Sequence, residues 1–232
     1  MIRGIVKILC ASGGMFLCLA AASADDAGPR RAPAWPDGYV ARVEALALLQ
    51  TLNADLLSHD SATLTLERWC DVHHLASPPR IVAAPMTGMD KPPTPEQRRE
   101  LAVTPAEPVR YRRVKLLCGA MVLSEADNWY VPGRLTPEMN QRLDTTDAPF
   151  GKVVQALHFQ RHTLSSTLLW RPLPEGWEMN PSAAGDLATA LHVPAQVLEH
   201  RAVLTMPDGT PISEVVETYT DNVLAFPMPK PW

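Results

Sequence analysis

The order in which two hydrophobic periodicities appear along the chain most constrains its fold. Across residues 38–57, apolar side chains recur at steps of three and four, which predicts an amphipathic helix. Residues 197–206 and 212–220 instead have strand-like composition, and Pro207-Asp208-Gly209-Thr210 between them predicts a hairpin turn. Helices therefore come first and meandering strands later. This order favours an α+β fold with an antiparallel β-sheet flanked by helices over βαβ winding.

Proline limits the length of every element. The chain has 23 prolines, which predicts short and sharply bounded helices and strands. Residues 86–108 form a long, polar and proline-rich insertion that we expect to be mostly loop with one helical turn. The sequence leaves open whether this insertion covers a pocket as a lid or extends away from the domain.

The amino terminus has the pattern of a cleavable signal peptide. Arg3 and Lys7 precede an uncharged apolar run, and Ala22-Ser23-Ala24 supplies the small residues of a cleavage site. The alternative, a membrane anchor, needs roughly 20 apolar residues, more than this run contains. We therefore predict a signal peptide at 1–24, a disordered leader at 25–37 and one domain at 38–232. The expected location is periplasmic or secreted, with no membrane span in the mature chain.

Charge and cysteine content restrict the expected partners. Removal of Arg3 and Lys7 would take the net charge from −4 to −6, and this acidic balance predicts no nucleic-acid partner. Of the four cysteines, Cys70 and Cys118 would remain after cleavage. They are candidates for a disulfide in an oxidising compartment, or for two buried thiols. Two cysteines alone do not predict a metal site.

Common catalytic motifs are missing from the sequence. It has no His-x-x-x-His pair with a following glutamate, no Gly-x-Ser-x-Gly elbow and no glycine-rich loop before Gly151-Lys152. What remains are ionisable residues within apolar strands. Arg113, Lys115 and Leu117 would share one strand face, and Arg112, Val114 and Leu116 the other. Glu214 and Glu217 would face opposite ways, so at most one enters a pocket. The alternative is that these charges lie at a solvated rim.

Four segments, taken together and in order, resemble the chorismate lyases. The first is Leu56-Leu57-Ser58-His59-Asp60-Ser61-Ala62-Thr63, and the second is Arg113-Val114-Lys115-Leu116-Leu117-Cys118. The third pairs Val131-Pro132 with Pro149-Phe150-Gly151. The fourth is Asp208-Gly209-Thr210-Pro211 leading to Glu217-Thr218-Tyr219. The same hairpin resembles the ligand domain of some GntR-type regulators, which share this fold.

The resemblance implies a function and a set of site residues. As an exported chorismate lyase-like enzyme, a carbon–oxygen lyase, the protein would eliminate pyruvate from chorismate to give 4-hydroxybenzoate. Arg113 would hold the ligand carboxylate and Glu217 the ring hydroxyl, while backbone groups near Ala62, Asp127 and Phe150 would line the pocket. The family uses no metal and no cofactor. The partner would be a small anionic ring or aromatic acid, and the protein a monomer.

Two further functions stay open beside the lyase. One is a non-enzymatic periplasmic binder of a small aromatic or carboxylated ligand on the same fold. The other is an envelope protein whose pocket has degenerated. Glu217 also lies one residue further from Gly209 than in the lyases. Unless a β-bulge absorbs the difference, Glu214 would be the inward carboxylate.

Overall fold

The computed structural model describes residues 35–179 and 187–228, which belong to a single structural unit. Its α-helices are α1 (Tyr39–Leu57), α2 (Ala62–Val72), α3 (Pro95–Glu100), α4 (Pro137–Thr145) and α5 (Phe150–Val153). Its strands are β1 (Ile81–Pro85), β2 (Arg110–Cys118), β3 (Met121–Tyr130), β4 (Gln160–Leu168), β5 (Gln196–Thr205) and β6 (Pro211–Thr220). Three short 3-10 helices, Pro132–Arg134, Gln155–Leu157 and Asp221–Leu224, lie between or after these elements.

The six strands form one sheet in the order β1-β2-β3-β6-β5-β4, and every neighbouring pair is antiparallel. The predicted fold class, an antiparallel sheet flanked by helices, is therefore confirmed. The predicted hairpin joins β5 to β6. Gly209 takes a positive φ of 85° there, and the Asp208 carboxylate accepts a hydrogen bond of 2.9 Å from the Thr210 amide.

One face of the sheet, the inner face, carries α1 and α2. Leu49, Leu52 and Leu56 of α1 are fully buried against it, at the spacing that the sequence predicts. Cys70 of α2 and Cys118 of β2 form a disulfide with their Cα atoms 6.4 Å apart, so the bond ties this helix to the sheet. Of the two alternatives that the sequence left open, the structure has the bonded pair.

The other face, the outer face, carries α3 and the insertion around it. Gln97 of α3 donates a hydrogen bond of 3.3 Å to the fully buried Glu214 of β6. Arg134 fastens the end of α3 by donating to the carbonyl oxygens of Leu101 at 2.6 Å and Ala102 at 3.1 Å. The insertion therefore packs on the sheet and does not extend away from it.

Residues 35–37 pack against the rest of the described structure. Trp35 is buried, and its indole nitrogen donates a hydrogen bond of 2.8 Å to the Phe226 carbonyl oxygen. The Asp37 amide donates to the Thr189 carbonyl oxygen at 2.8 Å. Residues 35–37, the last three of the predicted leader, are therefore held by aromatic packing and backbone hydrogen bonds. The predicted signal peptide and the rest of that leader lie outside the described residues. Among the described helices, none has both the length and the apolar content to cross a membrane.

Candidate functional site

A cavity of about 40 Å³ lies where the inner face of the sheet meets the start of α2 and α5. Its apolar walls come from all three regions and include Val114, Ala126, Phe150, Phe159 and Val215. Its polar lining is Asp60, Ser61, Thr63, Arg112, Asn128, Arg161 and Glu217. Nearly all the apolar walls are under 9% exposed, so charges in this lining have little water around them.

Strand alternation decides which arginine of β2 reaches this cavity. Arg112 pairs across the ladder with Asn128, and both line the cavity. Arg113 points to the outer face, where its guanidinium lies 2.8 Å from the Glu125 carboxylate and 3.6 Å from that of Asp127. The predicted Arg113–Glu217 constellation is therefore wrong, since the two side chains lie on opposite faces of the sheet.

The other predicted ligand contacts divide in the same way. Ala62 and Phe150 both line the cavity. Asp127 does not, because it shares the outer face with Tyr111, whose hydroxyl donates a hydrogen bond of 2.6 Å to it. The alternation of side chains along a strand places Arg112 and Arg113 on opposite faces of β2. Alternation alone does not say which of the two faces turns inward. Val114 and Leu116 share the face of Arg112. These apolar neighbours were the sequence signal that this face of β2 turns inward.

Glu217 lines the cavity but has a partner that sequence reasoning missed. Its carboxylate lies 2.5 Å from the Arg161 guanidinium of β4, and the two side chains are only 8% and 4% exposed. The hydroxyl of Tyr219 donates a further hydrogen bond of 3.3 Å to Glu217. Burial raises the pKa of Tyr219 well above its ordinary value, so this phenol remains a neutral donor.

Arg161 is held between two opposing effects. Burial alone would lower the pKa of its guanidinium, but the Glu217 carboxylate outweighs burial and the pKa of Arg161 is raised. Its backbone amide donates a hydrogen bond of 2.9 Å to Asp60. Its Nε atom is buried and has no hydrogen-bond partner within the described chain. Arg161 therefore keeps one unused donor in the cavity region.

Arg112 has no acidic partner. No Asp or Glu among the described residues lies within ion-pair distance of it, and its guanidinium makes one long hydrogen bond of 3.4 Å, to the Ala148 carbonyl oxygen. Burial lowers the pKa of Arg112, and the opposing influence of Tyr130 and Asp144 offsets this effect only in part. An unpaired, half-buried guanidinium is costly for a fold unless something else binds it.

The amino terminus of α2 adds donors to the same cavity. Ser61 caps the helix by accepting a hydrogen bond of 3.3 Å from the Leu64 amide. The next two residues, Ala62 and Thr63, line the cavity, and the first amides of a helix lack partners within it. Gly151 of α5 lies close to this helix start, since a Cβ there would be in ordinary contact with Ser61 Oγ at 3.4 Å and Thr63 Oγ1 at 3.6 Å.

Metal binding finds no support in the described residues, which contain no cluster of three or more His, Cys, Asp or Glu side chains placed to hold an ion. The cavity's donors instead suit an anion: two guanidinium groups and the positive end of a helix dipole. Arg112 and Arg161 face Glu217 and Asp60, and of the two arginines only Arg112 lacks a carboxylate within 4 Å in the described chain.

Sequence comparison gives one informative relative. No protein-family model matches the chain. The chain is 56% identical over 196 residues to the uncharacterized protein y4mC of Sinorhizobium fredii (strain NBRC 101917 / NGR234), covering 84% of this chain and 83% of that protein. The chain belongs to the y4mC family.

Structural comparison finds transcriptional regulators of low sequence identity. PhnF from Mycobacterium smegmatis is 12% identical with a TM-score of 0.46, over 76% of this chain and 71% of that one. A GntR-family regulator from Enterococcus faecalis V583 is 12% identical with a TM-score of 0.39, over 64% and 99%. YydK from Bacillus subtilis, a possible transcriptional regulator, is 14% identical with a TM-score of 0.38, over 65% and 62%.

These findings correct the functional expectations for the y4mC-family chain. These three solved structures are named as regulators, and none is named as the expected exported chorismate lyase or the alternative periplasmic binder of aromatic or carboxylated ligands. The expectation of no nucleic-acid partner likewise differs from what those names describe. Separately, the placement of Arg113 and Glu217 on opposite faces removes the catalytic pair that the lyase reading needed. Nothing in the comparisons supports a signal peptide, and the cellular location stays a prediction.

Proposed function

We propose that this chain is a ligand-binding domain whose cavity holds a small oxyanion-bearing effector without turning it over. The observation that carries the proposal is Arg112. This guanidinium lines the cavity, is half-buried, and makes one hydrogen bond of 3.4 Å in the described structure. A bound oxyanion would supply the missing counter-charge through charge-assisted hydrogen bonds.

Two further groups support an anion at the same place. The buried Nε of Arg161 is a donor without a partner in the described chain, and Arg161 lines the same cavity as Arg112. The first amides of α2, an 11-residue helix, belong to residues that also line it. Donors from β2, β4 and α2 therefore surround one small volume, as oxyanion binding requires.

The volume restricts the size of what is bound. A cavity of about 40 Å³ has room for about three water molecules, at roughly 10–15 Å³ each. An engineered cavity of about 150 Å³ is needed to hold a benzene ring. The part of the ligand that enters is thus a compact group such as phosphate or sulfate, and an aromatic ring requires the walls to move.

Binding is favoured over turnover by the chemistry of the lining. Glu217, which would have served as the acid or base, is held by Arg161 at 2.5 Å. Neither histidine nor cysteine occurs among the described residues that line the cavity, so Ser61 and Thr63 have no imidazole base beside them there.

The test is thermal unfolding of the purified protein with rising concentrations of inorganic phosphate or sulfate, at constant ionic strength set with chloride. Ligand at 100 times its Kd stabilises the native state by about 2.7 kcal/mol. We expect a rise in Tm that is lost in Arg112→Met and kept in Arg113→Met, which removes an equal charge from the opposite face of the same strand. An equal response of both variants would contradict the proposal.

A further inference from the structure

An open groove of about 560 Å³ runs beside the cavity and shares one residue with it. β1 ends at Pro85, opposite Val114, so the preceding residues of β2 form an open sheet edge. The groove follows this edge and is lined by Arg110, Arg112 and Arg113, among others. Arg112 also lines the cavity, so its side chain lies in the wall between the two spaces.

Arg112 is the least restrained of these three arginines in the described structure. Arg110 forms an ion pair with Asp144 at 3.1 Å, and Arg113 forms one with Glu125 at 2.8 Å. Arg112 has only its long hydrogen bond of 3.4 Å to the Ala148 carbonyl oxygen. Rotation of its side chain would break one weak contact, whereas rotation of either neighbour would break a charged pair.

We propose that Arg112 is the charge-selective entrance of the cavity, through which anions pass from the groove and by which cations are rejected. The inference rests on the proposed function and deepens it by assigning the route and the selectivity to one side chain. An unpaired cation beside low-dielectric walls concentrates anions locally. The Arg110–Asp144 pair in the groove is neutral as a pair, and Asp90 of the groove is exposed to water that screens its charge, so neither cancels this effect.

The experiment measures access to the cavity without any effector. A Val215→Cys variant places a thiol on the cavity wall, and a Thr87→Cys variant places one on the exposed rim of the groove. Cys10 and Cys18 are replaced by serine to remove their background. Each variant is alkylated with iodoacetate or iodoacetamide, reagents of similar size that differ in charge. At each thiol, the iodoacetate rate is divided by the iodoacetamide rate. Dividing this ratio at the cavity thiol by the same ratio at the rim thiol gives the charge selectivity of the passage.

We expect the cavity thiol to favour iodoacetate over iodoacetamide by about tenfold relative to the rim thiol, since focused fields raise anion access by 10-fold or more. Adding Arg112→Met should abolish this preference and raise the iodoacetamide rate, because the wall is then shorter and neutral. Arg112→Lys should retain the preference. Ala126→Cys, a second cavity position, replaces Val215→Cys if that variant does not fold.

Three results would overturn the inference. One is an unchanged rate ratio in Arg112→Met, and another is no labelling of either cavity thiol even in that variant. The third is faster labelling in Phe159→Ala but not in Arg112→Met, which would place the entrance at the groove lined by His59, Arg68 and Phe159. If phosphate still stabilises the protein through Arg112 in that case, the proposed function stands with a different route.

Discussion

Replacing Arg112 by methionine should stabilise the empty protein, which is the opposite of what most arginine substitutions do. Methionine keeps the length of the aliphatic stem and removes the guanidinium. That group has no carboxylate within 4 Å in the described chain and one hydrogen bond of 3.4 Å. A buried polar group without partners costs about 1–3 kcal/mol. Arg112 is only half-buried, so we take the lower end, about 1 kcal/mol.

The expected change is large enough to measure. For a domain of 150–250 residues, 1 kcal/mol corresponds to about 2–4 °C in Tm. Differential scanning calorimetry without phosphate should therefore show a Tm for Arg112→Met that is higher by this amount. With saturating phosphate the order should reverse, because the wild type gains binding free energy that the variant lacks. A reversal in the order of the wild-type and variant Tm values on adding ligand is typical of a residue that serves binding and destabilises the empty fold.

Arg113→Met is the matched control. Its guanidinium is about a third exposed and pairs with Glu125 and Asp127 on the outer face. Exposed pairs contribute about 0–1 kcal/mol, so this variant should be slightly less stable with and without phosphate. A fall in the Tm of Arg112→Met without phosphate, similar to that of Arg113→Met, would refute the reasoning and make Arg112 a structural residue.

Three further predictions follow from buried groups. Burial lowers the pKa of His200 to about 4 from its ordinary 6.5, so the folded state disfavours its protonation. The contribution of neutral His200 to the free energy of unfolding is fully present above pH 6.5 and falls by about 3 kcal/mol as the pH drops to 4. Urea unfolding should show a smaller loss over this pH range in His200→Gln. Glu217→Gln leaves Arg161 buried without its counter-charge and should cost about 3 kcal/mol, a loss that Glu217→Asp should partly avoid. Cys70→Ser should lower stability by about 2–4 kcal/mol, and adding Cys118→Ser should cost little more, because either change removes the same cross-link.

The sequence alone determined the local elements. Apolar spacing predicted α1, and Pro207-Asp208-Gly209-Thr210 predicted the hairpin between β5 and β6. Both signals are local, because a helix face and a two-strand turn depend on residues only a few positions apart. The same alternation correctly separated Arg112 from Arg113, and Glu214 from Glu217, onto opposite faces.

Only the tertiary structure decided which of those faces encloses the site. Both faces of the sheet are covered, the inner by α1 and α2 and the outer by α3, so hydrophobic patterning could not tell the two apart. Glu214 illustrates this, since it is fully buried on the face away from the cavity. The sequence likewise did not indicate which residue pairs with Glu217. Arg161 lies 56 residues earlier in the chain, and the strand order β6-β5-β4 brings the two charges together across the intervening strand.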